Sequence, residues 1–353
     1  MIRELIELLK KLLRPVRLEI RRFHGALQFK FLKLSCRLLK PNIALTYWNT
    51  TKADGVGAQI QRVLAIRSLS SRLQLGYLHT GIKSLAIHPL DSYQNDDEME
   101  VFLLKLNHEF WMHNSEESFA EIPREIETNI LTFSFLYSCI LKSMFSKRHF
   151  LIKLVEPYPI SEYDPHLYEG MLQFLPNFVL PPKTDVVVAV HYRRGVGGFA
   201  VQRGERVSRE IPGTYFARLT KEIIDAHKST EIKLIVFTDS PTEDVIFTPP
   251  SNQSHLWTNS TSFSEGKMHV LGLDIEDVFR GISVDVKVIY GGDPLDVIKN
   301  LASADHLILS RSSFGYVGAI LNNKGRVYFP SQFWHAPMKN WQIVRESSYE
   351  QIA

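Results

Sequence analysis

The chain opens with a helical pattern of apolar residues and continues with strand and helix patterns in alternation. Up to about residue 40, leucine and isoleucine recur every three or four positions with lysine and arginine on the opposite side. This pattern predicts a basic amphipathic helix broken at Pro15. The apolar run from Ile43 to Trp48 predicts a strand, and the spacing from Ile60 to Leu69 predicts a helix. The region from Ser92 to Phe145 is predicted to be mostly helical.

The second half alternates more regularly. β-Branched runs predict strands at 185–192, 233–238, 286–290, 306–309 and 326–329, and helical spacing predicts helices at 215–226, 293–304 and 317–322. Continuous apolar strands separated by helices are typical of a parallel sheet covered on both faces. Prolines around residues 175–183 predict a hinge. We therefore predict an α/β protein with an extension at 1–40, a first domain at 41–178 and a second domain at 179–353.

Composition supports two full hydrophobic cores and excludes several classes of protein. The 353 residues are long for one domain, and 44% hydrophobic with 22% charged residues is the usual globular balance. A net charge of +3 is too small to imply nucleic-acid binding, so no nucleic-acid partner is expected. The two cysteines, Cys36 and Cys139, form neither a disulfide framework nor a zinc motif, which fits a reducing, cytoplasmic setting.

The basic extension at 1–40 has two interpretations. No uninterrupted apolar core follows its lysines and arginines, so neither a signal peptide nor a spanning helix is predicted. The segment either adsorbs to an anionic membrane surface, with its leucines in the interface, or packs on its own domain. The protein is accordingly expected in the cytoplasm, either free or peripheral on the inner face of the membrane.

Candidate binding residues stand where predicted strands end. The strand at 185–192 runs into His191-Tyr192-Arg193-Arg194-Gly195. Ligands of open α/β sheets bind outside the carboxyl ends of the strands. Two guanidinium groups there can neutralise a diphosphate and stabilise it as it leaves. The alternative is that both arginines are ordinary ion-pair residues.

Two more strand ends and a glycine turn extend the pattern. Ser310-Arg311-Ser312-Ser313-Phe314-Gly315 opens a predicted helix, where hydroxyl and N–H groups suit phosphate oxygens, although serine there often only caps the helix. Asp239, in Phe237-Thr238-Asp239-Ser240, puts a carboxylate at the end of another predicted strand. This carboxylate either accepts hydrogen bonds from a purine or ribose or caps a turn. Gly55-Val56-Gly57-Ala58-Gln59 lies between strand and helix, and its glycines serve either a ligand or a tight turn. Three strand ends on one sheet favour a single pocket.

In this order along the chain, the segments resemble a known family. His191 to Gly195, Phe237 to Ser240 and Ser310 to Gly315 are similar to the nucleotide-side motifs of the α-1,2/α-1,6/protein O-fucosyltransferase superfamily. Gly55 to Arg62 resembles the glycine-rich turn of its acceptor domain, and Leu321 to Trp334 resembles the bacterial α-1,2 branch. The resemblance implies a GT-B fold, with two Rossmann-like domains facing a cleft. It also implies inverting transfer of fucose from GDP-fucose to a glycan or lipid-linked glycan in polysaccharide biosynthesis.

The resemblance also implies a role for each matching residue. Arg194 would contact the β-phosphate, supported by His191 and Arg193, and Asp239 would contact the guanosine. The remaining implied substrate-side residues are Ser312, Ser313 and Phe314 beside the diphosphate and base, and Gly55, Gly57 and Gln59 in the glycine turn. Where the family often has an aspartate after the arginines, this chain has Val196-Gly197-Gly198, which leaves the pocket geometry and the donor sugar open.

The implied chemistry uses no metal and no cofactor beyond the donor substrate. Arginine supplies the charge stabilisation, and the sequence has no strict Asp-x-Asp motif. Glu205, and after it Glu210, is the candidate general base, although solvated loop charges are the commoner use of such residues. His191 is either an alternative base or a hydrogen-bonded pocket wall. Two other functions stay open: a GT-B transferase for another nucleotide sugar, and a catalytically silent membrane-associated binding protein of this fold.

Overall fold

The computed structural model describes most of the chain. The described residues are 23–48, 54–86, 95–114, 123–182, 185–193, 199–202, 205–208, 210–227, 231–248, 263–265, 267–270 and 272–345. Arg194, residues 1–22 and the side chain of Glu205 lie outside this part of the protein. Contacts divide the chain into two compact units, the first made of residues within 1–50, 64–80 and 113–167 and the second of residues within 51–63, 81–112 and 168–353.

The first unit is built on a four-stranded sheet in the order β2-β1-β4-β3, with every pairing parallel. Its strands are β1 (Ile43–Tyr47), β2 (Gly76–Tyr77), β3 (Arg124–Leu131) and β4 (Phe150–Pro159). Helix α1 covers residues 23–39, and α4 is Phe133–Ser146. Helix α2 (Val56–Leu73) belongs to the second unit up to Val63 and to the first from Leu64. All five residues of β1 are buried, as expected of an apolar strand inside a parallel sheet.

The second unit is built on a six-stranded, fully parallel sheet in the order β12-β8-β5-β13-β14-β15. The strands are β5 (Val186–Tyr192), β8 (Ile232–Thr238), β12 (Val286–Tyr290), β13 (His306–Ile308), β14 (Arg326–Pro330) and β15 (Gln342–Val344). Its helices are α3 (Asp96–Glu109), α5 (Gly213–Ala226), α6 (Ile275–Val278), α7 (Pro294–Ser303) and α8 (Ser313–Leu321). Renumbered within this sheet, the strand order is 3-2-1-4-5-6, that of the doubly wound dinucleotide-binding fold.

Small antiparallel elements complete the second unit. Strands β6 (Phe199–Gln202) and β7 (Glu205–Ser208) form a two-stranded sheet. Strands β9 (Val245–Phe247), β10 (Phe263–Ser264) and β11 (Lys267–Val270) form a second sheet in the order β10-β11-β9. The apolar periodicity did not predict these strands, because strands of two to four residues are too short to show one.

The predicted α/β class, with parallel sheets in both halves, is confirmed. The described residues between Ser92 and Phe145 are mostly helical, as predicted, and strand β3 is the exception. Among the described residues it is an edge strand paired with β4 alone, and charged side chains such as Glu125 and Glu127 weaken its apolar pattern. Among the described residues, no helix is both long and apolar enough to cross a membrane.

The two units do not follow the predicted boundary between residues 178 and 179. Residues 51–63 and 81–112, predicted in the first domain, group with the second unit by their contacts. Ion pairs join α3 to α7, with Lys105 Nζ 2.6 Å from Asp293 Oδ2 and Lys299 Nζ 2.8 Å from Glu109 Oε1. Such long-range pairs leave no trace in local composition, so a hinge prediction based on proline could not reveal them.

Helix α1 bears on the two interpretations of the extension. Its residues Gly25, Phe29, Leu32 and Cys36 are buried at helical spacing. Gly25 lies so close to the ring of Tyr163 that an added Cβ would come within 2.1 Å of Cε1. One face of the described part therefore packs on its own unit, as the second interpretation expects. Residues 1–22, which carry the earlier apolar pattern, lie outside the described residues.

Candidate functional site

The predicted motifs meet at the point where the strand order of the second sheet reverses. Strands β8, β5 and β13 are neighbours, and the reversal falls between β5 and β13. Loops leaving the carboxyl ends of strands on the two sides of such a point diverge and leave a crevice for a ligand. His191 and Arg193 stand at the end of β5, Asp239 follows β8, and Ser310 follows β13. The crevice is thus bordered by all three nucleotide-side motifs.

Arg193 joins the three motifs to one another. Its Nη1 donates a hydrogen bond to Ser312 Oγ at 3.2 Å, and its Nε lies 3.6 Å from Asp239 Oδ2. The register explains the second contact: Tyr192 pairs with Thr238, so the residues that follow leave the sheet side by side. The guanidinium is mostly buried, with 15% of the side chain exposed. Arg194, predicted to contact the β-phosphate, lies outside the described residues.

His191 forms a wall of this crevice. Its Nδ1 lies 2.6 Å from Ser310 Oγ, and its ring centroid is 5.7 Å from that of Phe314. Burial lowers the pKa of His191 to about 4, the carboxylate of Asp239 opposes that shift, and Arg193 adds to it. The imidazole is therefore neutral at pH 7. A base this weak retains a proton poorly, and Nδ1 is already in contact with Ser310, so the two observations together favour the pocket-wall interpretation.

The start of α8 supplies hydrogen-bonding groups to the same place. Ser312 is the N-cap, and its Oγ accepts a hydrogen bond from the N–H of Phe314 at 3.3 Å while receiving the one from Arg193. Capping was the commoner alternative for this serine, and here the cap also orients the arginine. The positive end of the helix dipole and a guanidinium thus lie together, an arrangement that suits an anion.

The glycine turn packs directly against the start of α8. A Cβ on Gly57 would come 2.3 Å from the Cα of Phe314 and 2.5 Å from its backbone nitrogen. Only glycine permits this approach of two backbones. The N–H of Gly55 donates to Asp54 Oδ1 at 2.8 Å, and Nε2 of fully buried Gln59 donates to the carbonyls of Asp54 and Ser84 at 3.1 and 2.5 Å. In this structure Gln59 therefore holds the turn in place, and its predicted substrate contact stays a prediction.

Sequence reasoning missed His335, which links the glycine turn to α8. Its Nδ1 lies 3.1 Å from Gln61 Nε2, and its Nε2 lies 3.0 Å from Ser313 Oγ. The indole N–H of Trp334 donates to the same Nε2 at 3.0 Å. Burial lowers the pKa of His335 to about 3, and the charge of Arg62 acts in the same direction. Gln61 and His335 are 274 positions apart, so no spacing along the chain could have revealed the contact.

The remaining candidates are less well defined. Arg311 is buried at the same strand end, where Nη1 donates to the carbonyl of Glu210 at 3.3 Å and Nη2 to Gln332 Oε1 at 3.4 Å. Glu210 itself is exposed, as a solvated loop charge would be. The backbone of Glu205 lies in β7, and its predicted role as base stays a prediction. Across the described residues, no group of three or more His, Cys, Asp or Glu side chains is placed to hold a metal ion.

Comparison with known proteins gives distant structural likenesses alone. No protein-family model and no curated protein matches the chain. A glycosyl transferase family 9 protein from Veillonella parvula aligns at 12% identity over 88% of this chain and 87% of its own, with a TM-score of 0.34. The Escherichia coli heptosyltransferase WaaC with ADP aligns at 11% identity over 86% and 93%, with a TM-score of 0.35. The same enzyme with ADP-2-deoxy-2-fluoro heptose aligns at 10% identity over 86% of this chain and 93% of its own, with a TM-score of 0.34.

One of the two matched proteins is described as a glycosyl transferase of family 9 and the other as a heptosyltransferase, whereas the motifs of this chain resemble fucosyltransferases. The resemblance to the fucosyltransferase superfamily accordingly stays a prediction.

Proposed function

We propose that this chain is an inverting glycosyltransferase that takes its sugar from a nucleoside-diphosphate donor, with GDP-fucose as the donor that its motifs favour. The observation behind the proposal is the meeting of Arg193, Asp239 and the N-cap Ser312 at the point where the strand order reverses. A sheet of this topology binds its ligand there, and a mostly buried guanidinium beside a helix start suits a diphosphate.

The proposed reaction is a single displacement. An acceptor hydroxyl attacks the anomeric carbon of the sugar while the bond from that carbon to the diphosphate oxygen breaks, and its electron pair leaves with the diphosphate. Arg193 and Arg194 stabilise the charge that develops on the departing oxygens. Glu205 is the candidate to take the proton of the acceptor hydroxyl. His191, neutral and bonded to Ser310, keeps the end of β5 in position.

The acceptor is proposed to be a hydroxyl of a glycan or of a lipid-linked glycan precursor. This part of the proposal rests on the resemblance of the motifs alone.

A second candidate is a transferase for a different nucleotide sugar. The carboxylate of Asp239, assigned to the guanosine by resemblance, lies beside Arg193 in this structure. If Asp239 keeps its contact with Arg193 when the donor is bound, other groups of the protein select the nucleobase. Side chains that bind the diphosphate do not determine which nucleotide carries that diphosphate.

Thermal unfolding with GDP, UDP and ADP, followed by transfer assays, tests the proposal. A nucleotide at 100 times its Kd should stabilise the fold by about 2.7 kcal/mol. Stabilisation by GDP alone supports the guanine donor, and stabilisation by another nucleotide supports the second candidate. If none of the three stabilises the protein, the nucleotide-sugar site is wrong.

The transfer assay uses Arg194→Lys. This change keeps the charge but loses the two-pronged hydrogen bonding of the guanidinium. We expect turnover to fall roughly 100-fold or more with the melting temperature unchanged, since removing one donor that stabilises a transition-state oxyanion costs about that much. Wild-type turnover in this variant would remove Arg194 from the mechanism. Binding of GDP without turnover of any sugar would favour the silent binding protein.

A further inference from the structure

Helix α1 has a second apolar face on the side opposite its buried one. Five large apolar side chains on it are between 41% and 73% exposed. They follow one another at intervals of four, four, three and four residues: Phe23, Leu27, Phe31, Leu34 and Leu38. At roughly 100° of rotation per residue they fall within an arc of about 80°. We call these five residues the outer stripe. A continuous exposed apolar surface of this kind marks an interaction site.

Helix α4 extends this surface. Ser35 of α1 is hydrogen-bonded to Tyr137 of α4, and the N–H of Asn42 donates to Ser143 Oγ at 2.9 Å. The two helices are therefore neighbours within the first unit. On α4, Phe145 is 86% exposed, and Leu141 and Met144 are also exposed. Apolar side chains thus continue outward from both helices.

The charged side chains on the described parts of these two helices have a single sign. Exposed or half-buried cations on and just after α1 are Lys30, Lys33, Arg37 and Lys40, and those on and just after α4 are Lys142, Lys147 and Arg148. The sequence contains no aspartate or glutamate between Glu19 and Asp54, and none in α4. By the same helical rotation, Lys30, Lys33 and Arg37 lie along one side of the outer stripe. Apolar side chains bordered by cations match the interface of an anionic bilayer.

We propose that the outer stripe, together with the exposed end of α4, docks the protein on an anionic lipid surface. A second copy of the chain fits this surface poorly, because its own cations would face those of the first copy with no acidic side chain on either helix to pair them. The docking surface is built from described residues of the first unit alone. It is independent of the proposed transferase activity.

Co-sedimentation of the full chain with vesicles tests the proposal. The vesicles are phosphatidylcholine alone or phosphatidylcholine with phosphatidylglycerol, each at low and high salt. We expect binding to the anionic vesicles that weakens with salt. The paired substitution Phe31→Ser with Leu34→Ser should lower the affinity at least tenfold. Replacing Lys30, Lys33 and Arg37 by glutamine should lower it roughly fivefold per charge, as expected for cations near a charged membrane surface.

The matched control is Val101→Ser with Leu104→Ser. These residues have the same spacing on α3 and are 69% and 68% exposed, but they belong to the second unit. The control should bind vesicles as the wild type does. Equal loss in the control and in the stripe variant, or wild-type binding by both the stripe and the glutamine variants, would overturn the proposal. So would a dimer in sedimentation equilibrium that the stripe substitutions dissociate. Nucleotide binding is measured on the same samples. A protein that binds vesicles but no nucleotide would support the docking surface while contradicting the proposed transferase activity.

Discussion

At the scale of the residue, Arg193 illustrates how one side chain can unite distant segments. It bonds the N-cap of α8 and lies beside the carboxylate after β8, while being covalently part of the end of β5. A lysine would reach only one of these partners at a time, because its ammonium is a point charge without a planar fork. Arg193 therefore both shapes the crevice and supplies positive charge to it.

The two neutral histidines near the crevice predict a pH dependence of stability. Folding lowers the pKa of His191 and His335 from 6.5 to about 4 and about 3. Below about pH 6.5 the unfolded chain binds protons that the folded protein does not, so stability should fall as the pH falls from 6.5 towards 4. Each histidine contributes up to about 1.4 kcal/mol per pH unit in this window.

Urea unfolding at several pH values between 4 and 7 measures this slope. His335→Gln retains a hydrogen-bonding side chain but cannot titrate, so the slope attributable to His335 should vanish. Equal slopes in the variant and the wild type would mean that His335 is not the titrating group.

At the scale of the element, the contact between α2 and α8 decides the shape of the site. Gly57 needs no unusual backbone angle; it needs the absence of a side chain, because the backbone of Phe314 occupies the place of a Cβ. The sequence indicated that these glycines mattered but left two reasons open, a ligand or a tight turn. The structure adds a third reason, the close approach of two helix starts.

Gly57→Ala should separate those helix starts. We expect a loss of about 1–3 kcal/mol in the free energy of unfolding, typical of an overpacked site, together with weaker nucleotide binding. Denaturant unfolding and calorimetric titration measure the two effects. Ala58→Ser, one residue along and half-buried, is the matched control and should leave both unchanged. Unchanged stability in Gly57→Ala would show that the two helix starts are not held as close as described.

At the scale of the whole molecule, the unit that contains the site is assembled from separate stretches of chain. Residues 51–63 and 81–112 contribute Gln61, Lys105 and Glu109, whose partners are His335, Asp293 and Lys299. A protein cut at the boundary that the sequence suggests would lose all three contacts. The site thus depends on chain that lies well before its own sheet.

A fragment of residues 179–353 is therefore expected to unfold without cooperativity and to bind no nucleotide. Co-expression with a fragment of residues 1–178 should restore cooperative unfolding and nucleotide binding. Circular dichroism and nucleotide titration of the purified pair would measure these two properties. A fragment 179–353 that alone binds nucleotide as tightly as the full chain would contradict this division of the protein.

The sequence by itself determined the α/β class, most strands of the second sheet and the three strand ends that border the crevice. These depend on apolar periodicity and on residues adjacent along the chain, and both are local properties. Only the tertiary structure decided that α2 and α3 contribute to the second unit, that Gly57 meets Phe314, and that His335 links Gln61 to Ser313. Edge strand β3 was not predicted for a related reason: it is held by pairing with β4, while its own side chains are mostly polar and largely exposed. Contacts between residues far apart in sequence arise when sheets and helices pack, and no pattern along the chain records them.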